Sequence, residues 1–89
     1  MTQYKASPRV EITQVEADLF LVDPEAENIY HLGPVGAGLW RLLAEPQNEE
    51  SLFSVLQSAF PDIPETRLRE DIDRIIGEMK TRDLLDILG

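Results

Sequence analysis

The stretch IYHLGPVGAGLW, residues 29–40, joins a segment of strand character to a segment of helix character and so decides where the fold changes from sheet to helices. Ile29 to Leu32 is a short β-prone apolar run. Pro34 suits the first turn of a helix, because the N–H that proline lacks would have no partner there. The stretch also holds three glycines within six residues, which raises the question of a phosphate-binding loop.

The spacing of these glycines argues against a nucleotide site. Gly33-x-x-Gly36-x-Gly38 follows a strand and opens a helix, but its order is the reverse of the dinucleotide fingerprint G-x-G-x-x-G. That fold also needs a parallel strand after the helix and an acidic residue about 20 positions on, whereas a second helix follows here. No Lys-Ser or Lys-Thr pair follows the glycines in P-loop spacing. We predict that Gly33 forms the turn and that Gly36 and Gly38 allow close helix packing.

The residues before this stretch predict strands. Arg9 to Val15 alternates apolar and polar residues, Leu19 to Val22 is a second β-prone run, and Ile29 to Leu32 is the third. The turn-forming residues 23–28 separate the last two. Short links of this kind predict an antiparallel meander whose last strand is an edge. Residues 1–8 are polar and are predicted to form a flexible N-terminal arm.

The residues after this stretch predict three helices. The first begins at Pro34; the second spans Leu52 to Phe60 with Asn48 as its cap; the third follows Pro64. Trp40 lies beside the main stripe of the first helix and is predicted to be core, or to face a sheet or a partner. Residues 84–88 are predicted to pack back or form a short strand. The i, i+4 ion pairs predicted on the third helix are Arg67–Asp71, Glu70–Arg74 and Glu78–Arg82.

The acidity of the chain limits its partners. The 89 residues carry a net charge of −9 with a pI near 4.4, whereas binding to nucleic acid needs a basic stripe. The chain has no cysteine, so disulfides and thiolate sites are excluded. No apolar run has the length of a signal-peptide core or a bilayer span. We expect a cytoplasmic protein with one domain over residues 9–89 that contacts neither nucleic acid nor membrane.

Candidate catalytic and metal-binding residues are few. His31 is the only histidine, so a metal site rich in nitrogen or sulfur cannot be assembled within one chain, and we predict a strand-face histidine. The carboxylates of REDIDR, residues 69–74, lack the spacing of a calcium loop and are predicted to form a solvated helix face. The serines have no histidine in a supporting sequence context. The sequence therefore predicts neither an enzyme nor a cofactor.

The order of elements resembles the PqqD family, the group of pyrroloquinoline quinone (PQQ) biosynthesis protein D. The resemblance runs from Val10 to Leu85 and depends on joint spacing rather than on a catalytic signature. Its most specific parts are the strand ending in Tyr30-x-Leu32, the Gly36, Leu39 and Trp40 positions of the first helix, and the register Asp71-x-x-x-Ile75-x-x-x-Met79 near a terminal Leu-Leu.

This resemblance implies a fold and a function. It implies an α+β, winged-helix-like domain, with a three-stranded antiparallel sheet followed by three helices. It implies a peptide chaperone, a precursor-peptide recognition element, that binds the leader of a ribosomally made precursor and presents it to a modifying enzyme. In the namesake pathway that enzyme is a radical S-adenosylmethionine protein. A monomer or weak dimer is expected.

Strand addition to an edge strand is compatible with this function, because an edge strand offers unpaired backbone groups. The third helix would form the other wall, with Arg67, Arg74 or Lys80 reaching acidic leader side chains. The predicted peptide-binding residues are Asn28, Ile29, Tyr30, His31, Leu32, Leu68, Asp71, Ile72, Ile75 and Met79.

The sequence departs from the family pattern at three places, and it leaves a second function open. Gly33 stands where an Asn often caps the first helix, AEPQN at residues 44–48 replaces the Asp-Gly usual after that helix, and Asp83 stands where a Gly commonly closes the third. These departures favour the broad family over the namesake pathway. The alternative is a winged-helix transcription regulator, which the net charge and the lack of a basic recognition helix disfavour.

Overall fold

Within residues 2–25 and 27–88, which the computed structural model describes, the chain forms five strands and three helices. This arrangement confirms the predicted α+β class, with a three-stranded antiparallel sheet followed by three helices. In chain order the elements are β1 (Gln3–Ala6), β2 (Glu11–Val15), β3 (Asp18–Asp23), β4 (Asn28–Leu32), α1 (Pro34–Leu42), α2 (Glu49–Ala59), α3 (Glu65–Thr81) and β5 (Leu85–Leu88).

The three-stranded sheet has β3 in the centre, between β2 and β4. Its register places Leu21 opposite Tyr30 and Leu19 opposite Leu32, so these side chains share one face of the sheet. Leu19, Leu21 and Leu32 are buried in the core with the helices. The prediction that the third strand of the meander, β4, lies at an edge is confirmed.

The N-terminal segment is ordered, and the prediction of a flexible arm over residues 1–8 is wrong for residues 2–8, the part of it that the structure describes. Gln3–Ala6 form β1, which pairs antiparallel with β5. Tyr4 is only 5% exposed, and its backbone exchanges two hydrogen bonds with Gln47, at 2.7 and 2.9 Å. The partner strand β5 lies at the far end of the sequence, so no local pattern could indicate the pairing. Of the two predictions for residues 84–88, the short strand is confirmed.

The glycines of α1 allow close packing, as predicted. A Cβ atom on Gly36 would lie 2.7 Å from Cδ2 of Leu32, and one on Gly38 would lie 3.2 Å from Cδ2 of Leu56. Gly33 does lie at the junction of β4 and α1, but its φ of −74° is accessible to every residue. Gly33 thus lies at the predicted turn, but the backbone there does not require glycine.

A side-chain cap begins α2, and a residue with positive φ follows the end of α3. The Asn48 side chain accepts the backbone N–H of Ser51 at 2.8 Å, which confirms the predicted cap of α2. Asp83 adopts φ 59° just after α3, and its carboxylate lies 3.2 Å from the Arg9 guanidinium. Arg9 also pairs with Asp23 at 3.0 Å. Arg9 thus ties the segment before β2 to the end of β3 and to the turn before β5.

None of these helices, over the residues that the structure describes, combines the length and the apolar character needed to cross a membrane. Most of their large apolar side chains face the core, and Val55 of α2 is an exception. The buried stripe of α3 consists of Leu68, Ile72, Ile75, Ile76 and Met79.

We expect Gly36→Ala to lower the free energy of unfolding by about 1 to 3 kcal/mol, because its Cβ displaces the buried Leu32 side chain. Gly77→Ala is the matched control: Gly77 is also helical, nothing lies within 4 Å of its added Cβ, and alanine favours a helix by about 0.5 to 1 kcal/mol. Urea unfolding of both variants measures the difference. Equal effects would contradict the close packing at Gly36.

Candidate functional site

A groove of about 200 Å³ lies between the sheet edge and α3. Residues 30–36, from β4 and the start of α1, line one side, and Asp71, Arg74 and Ile75 of α3 line the other. Among the described strands, none pairs with the outer edge of β4. The groove therefore borders a strand edge whose backbone groups have no strand partner.

Tyr30 fixes β4 to α3 at this groove. Its hydroxyl donates a hydrogen bond to the Glu78 carboxylate, and the Arg82 guanidinium lies 4.7 Å from the centre of its ring. Burial, together with the hydrogen bond to Glu78, raises the pKa of Tyr30 to about 12. The same hydrogen bond lowers the pKa of Glu78. Both shifts favour a protonated tyrosine and an ionised glutamate at neutral pH.

A row of charged side chains runs along α3 beside the groove, and two of them, Asp71 and Arg74, line it. Arg74 lies 3.6 Å from Asp71 and 3.4 Å from Glu78, while Arg67 lies 4.0 Å from Asp71. The predicted Arg67–Asp71 pair is confirmed. The predicted Glu70–Arg74 pair is wrong because Arg74 reaches Asp71 and Glu78 instead.

Arg82 also departs from its predicted pairing with Glu78. Its guanidinium stacks on the Tyr30 ring, and Glu78 accepts hydrogen bonds from Tyr30 and Arg74. Several i, i+3 and i, i+4 ion pairs are possible for each of these charged residues. Contacts with Tyr30 of the neighbouring strand β4 determine which of them form.

His31 lies on the outer face of β4. Its Nε2 atom is 3.3 Å from the Asp18 carboxylate, and its ring centre is 5.1 Å from that of Phe20. In the described part of the chain, no three histidine, aspartate or glutamate side chains are grouped so that they could hold a metal ion. His31 is thus a strand-face histidine, as predicted.

The predicted peptide-binding residues fall into three classes. Asn28, Ile29 and His31 are exposed, and Ile29 is 65% exposed. Three more line the groove, as His31 also does: Tyr30 and Asp71 are half-buried, and Ile75 is buried. The remaining four are buried in the core, although Leu32 also lines the groove: Leu32, Leu68, Ile72 and Met79.

Sequence reasoning missed the groove residues at the start of α1. Gly33, Pro34, Val35 and Gly36 form this part of the lining. Their position directly after the edge strand was the available signal, since a chain that leaves a strand for a helix covers the end of that strand. Arg74, predicted as a rim cation, lines the groove, whereas Arg67 and Lys80 do not.

Comparisons with known proteins agree with this architecture. A profile of the family described as "Coenzyme PQQ synthesis protein D (PqqD)" matches residues 18–85, which is more than half of the chain. No match was found among curated proteins.

Two solved structures share the fold. One is described as "TbiB1 in Complex with the TbiA(beta) Leader Peptide" and has a TM-score of 0.78 and 18% identity, with 92% of this chain and 94% of that chain covered. The other is described as "Lasso peptide synthetase B1 complexed with the leader peptide" and has a TM-score of 0.73 and 16% identity, with 97% and 98% covered.

We expect the free energy of unfolding to fall as the pH rises from 10 to about 12, because Tyr30 in the folded chain keeps its proton above its ordinary pKa of 10.0. This stabilisation is fully present below pH 10 and is lost as the pH passes the pKa of the folded state. Tyr30→Phe removes this contribution and lowers stability at pH 7 by about 1 kcal/mol. Urea unfolding of both proteins between pH 7 and 12 checks this, and parallel pH profiles would contradict it.

Proposed function

The chain belongs to the PqqD family, and from this premise we propose that it binds the leader segment of a ribosomally synthesised precursor peptide and delivers the peptide to a modifying enzyme. The proposal covers PQQ synthesis and related modified-peptide pathways, and it places the protein in the cytoplasm, where the precursor is made. The single observation that carries it is the groove between the open edge of β4 and α3.

Strand addition accounts for affinity in this proposal. An extended leader pairs with the outer edge of Asn28–Leu32, so that the backbone N–H and C=O groups of β4 gain partners. Tyr30 holds β4 against α3 through Glu78, which keeps the edge at a fixed distance from the opposite wall. A fixed edge needs little reordering when a peptide binds.

The groove accounts for selection. Alternate side chains of an added strand point to the same side, and those that enter the groove meet the apolar atoms of Ile75 and Leu32. Asp71 and Arg74 offer polar contacts at the rim. Leu68, Ile72 and Met79 are buried, and we propose that they support this wall from within the core. A leader with an apolar side chain flanked by polar ones fits this surface.

A binding protein fits these residues better than an enzyme does. The nucleophile and base needed for covalent catalysis must lie within hydrogen-bond reach. The one histidine of the chain is instead paired with Asp18 on the outer sheet face. Chemistry on the peptide belongs to the partner enzyme, which in the namesake pathway is a radical S-adenosylmethionine protein.

The alternative, a transcription regulator, is disfavoured by the charges of α3. A recognition helix needs cations that are free to reach phosphates and bases. The arginines of α3 lie beside carboxylates instead: Arg67 beside Asp71, Arg69 beside Glu50 and Glu65, and Arg74 beside Asp71 and Glu78. We expect no retention of the chain on duplex DNA at moderate salt.

We expect the leader encoded near the gene to bind with micromolar or better affinity and to shift the backbone amide signals of Asn28–Leu32. In α3 the shifts should centre on Asp71, Arg74 and Ile75, because these residues line the groove. Titration of the ¹⁵N-labelled chain with the synthetic leader, followed by NMR, measures this. The signals of α2 serve as the internal control. Signals that stay unchanged with every nearby precursor would overturn the proposal.

We expect Arg74→Ala to weaken leader binding about tenfold, which corresponds to about 1.4 kcal/mol, because its guanidinium lines the groove and can donate hydrogen bonds to the peptide. Arg67→Ala is the matched control, since Arg67 lies two turns earlier on α3 and outside the groove. Exposed ion pairs contribute little to folding, so both variants should fold. Equal loss of affinity in the two variants, measured by calorimetry, would argue against this groove.

A further inference from the structure

A second groove, of about 370 Å³, lies beside the opposite edge of the sheet, between β2 and α1. Its lining is mainly apolar and includes Val10, Ile12, Trp40 and Ala44. Residues 6–8, which lead from β1 towards β2, close one end. The groove proposed for the leader lies between the β4 edge and α3. The second groove is likewise formed by a sheet edge and a helix, here the β2 edge and α1.

The β2 strand is exposed along its whole length. All five of its residues are exposed, and Ile12 and Val15 are 57% and 53% exposed. Edge strands are normally protected by lysine, proline or a covering element. The sequence of β2, EITQV, contains neither lysine nor proline and has one charged residue, Glu11, at its start, and in the described chain only β3 pairs with this strand. An apolar side chain beside unpaired backbone groups is typical of a surface that another strand covers.

Arg41 gives this groove a charge. It lies on the rim, its side chain is exposed, and among the described residues it forms no ion pair. The other arginines of the chain, except Arg82 on the Tyr30 ring, have carboxylate partners within 4.0 Å. A cation left unpaired on a chain of net charge −9 fits a carboxylate supplied by a partner.

We propose that this second groove binds an extended segment of the peptide-modifying enzyme, which adds to the β2 edge, inserts an apolar side chain beside Ile12 and Trp40, and pairs a carboxylate with Arg41. This inference rests on the proposed function, since it identifies the surface that meets the enzyme. Because β2 and β4 lie at opposite edges of one sheet, leader and enzyme bind at the same time without competing.

A second copy of the chain fits the groove less well than the enzyme does. Pairing two β2 edges would bring together two molecules of net charge −9, and their repulsion opposes association. A two-fold pairing would also add Glu11 of each copy to the interface. An enzyme segment needs to supply only the one carboxylate that pairs with Arg41.

The test uses the full chain and the purified modifying enzyme encoded beside its gene. We expect Ile12→Lys and Arg41→Glu each to weaken enzyme binding at least tenfold, while leader affinity changes less than twofold. Val55→Lys is the matched control, because Val55 is an exposed apolar residue of α2 (47%) that lies outside both grooves. Surface plasmon resonance measures enzyme binding, and calorimetry measures leader binding.

Each outcome decides the inference. Enzyme binding that is absent, or that is unchanged in both variants, overturns the second groove while normal leader binding keeps the proposed function. If the unaltered chain does not bind the leader, the proposed function itself is overturned. Sedimentation equilibrium covers the remaining occupant: a dimer of the chain that Ile12→Lys dissociates would assign the groove to a second copy and overturn the inference.

Discussion

The close approach of α1 to β4, where Leu32 packs over Gly36, is the constraint on which the rest of the site depends. The 2.7 Å separation that a Cβ atom would have from Leu32 leaves room only for glycine there without displacement of the leucine. This approach turns the chain sharply from the sheet edge into the helical layer. The chain therefore does not return along β4, and the strand edge stays open beside α3.

Local patterns were sufficient to predict the parts of the fold that depend on neighbours in sequence. The alternation in β2, the apolar runs of β3 and β4, and the cap at Asn48 were all readable, because each follows from residues a few positions apart. The pairing of β1 with β5 was not readable, since Tyr4 gains its burial from elements about 40 and 80 residues away. The apolar stripe of α3 could be predicted from its spacing. The sequence did not indicate which members of the stripe lie only in the core and which also line the groove. Only the position of β4 decides that Ile75 reaches the groove while Leu68 does not.

The ion pairs of α3 could likewise be predicted only where both partners lie on the helix and no residue from another element intervenes. Helical spacing correctly predicted that Arg67 lies beside Asp71. The pairs predicted for Arg74 and Arg82 do not form, because the Tyr30 side chain from the sheet contacts Glu78 through its hydroxyl and Arg82 through its ring. The charges of α3 are thus largely neutralised within the fold. For a chain of net charge −9, this leaves recognition to backbone edges and apolar grooves more than to long-range attraction, so selection depends on shape and register.

The β1–β5 ribbon has a consequence for how this domain combines with others. Gln3 lies opposite Leu88, so the two ends of the described chain lie side by side. Adjacent ends allow a domain to be inserted into a surface loop of another protein with little distortion of either. They also allow β1 and β5 to be linked directly and new ends to be opened in an exposed turn. The pairing of the first strand with the last thus brings the entry and the exit of the fold to one place on its surface.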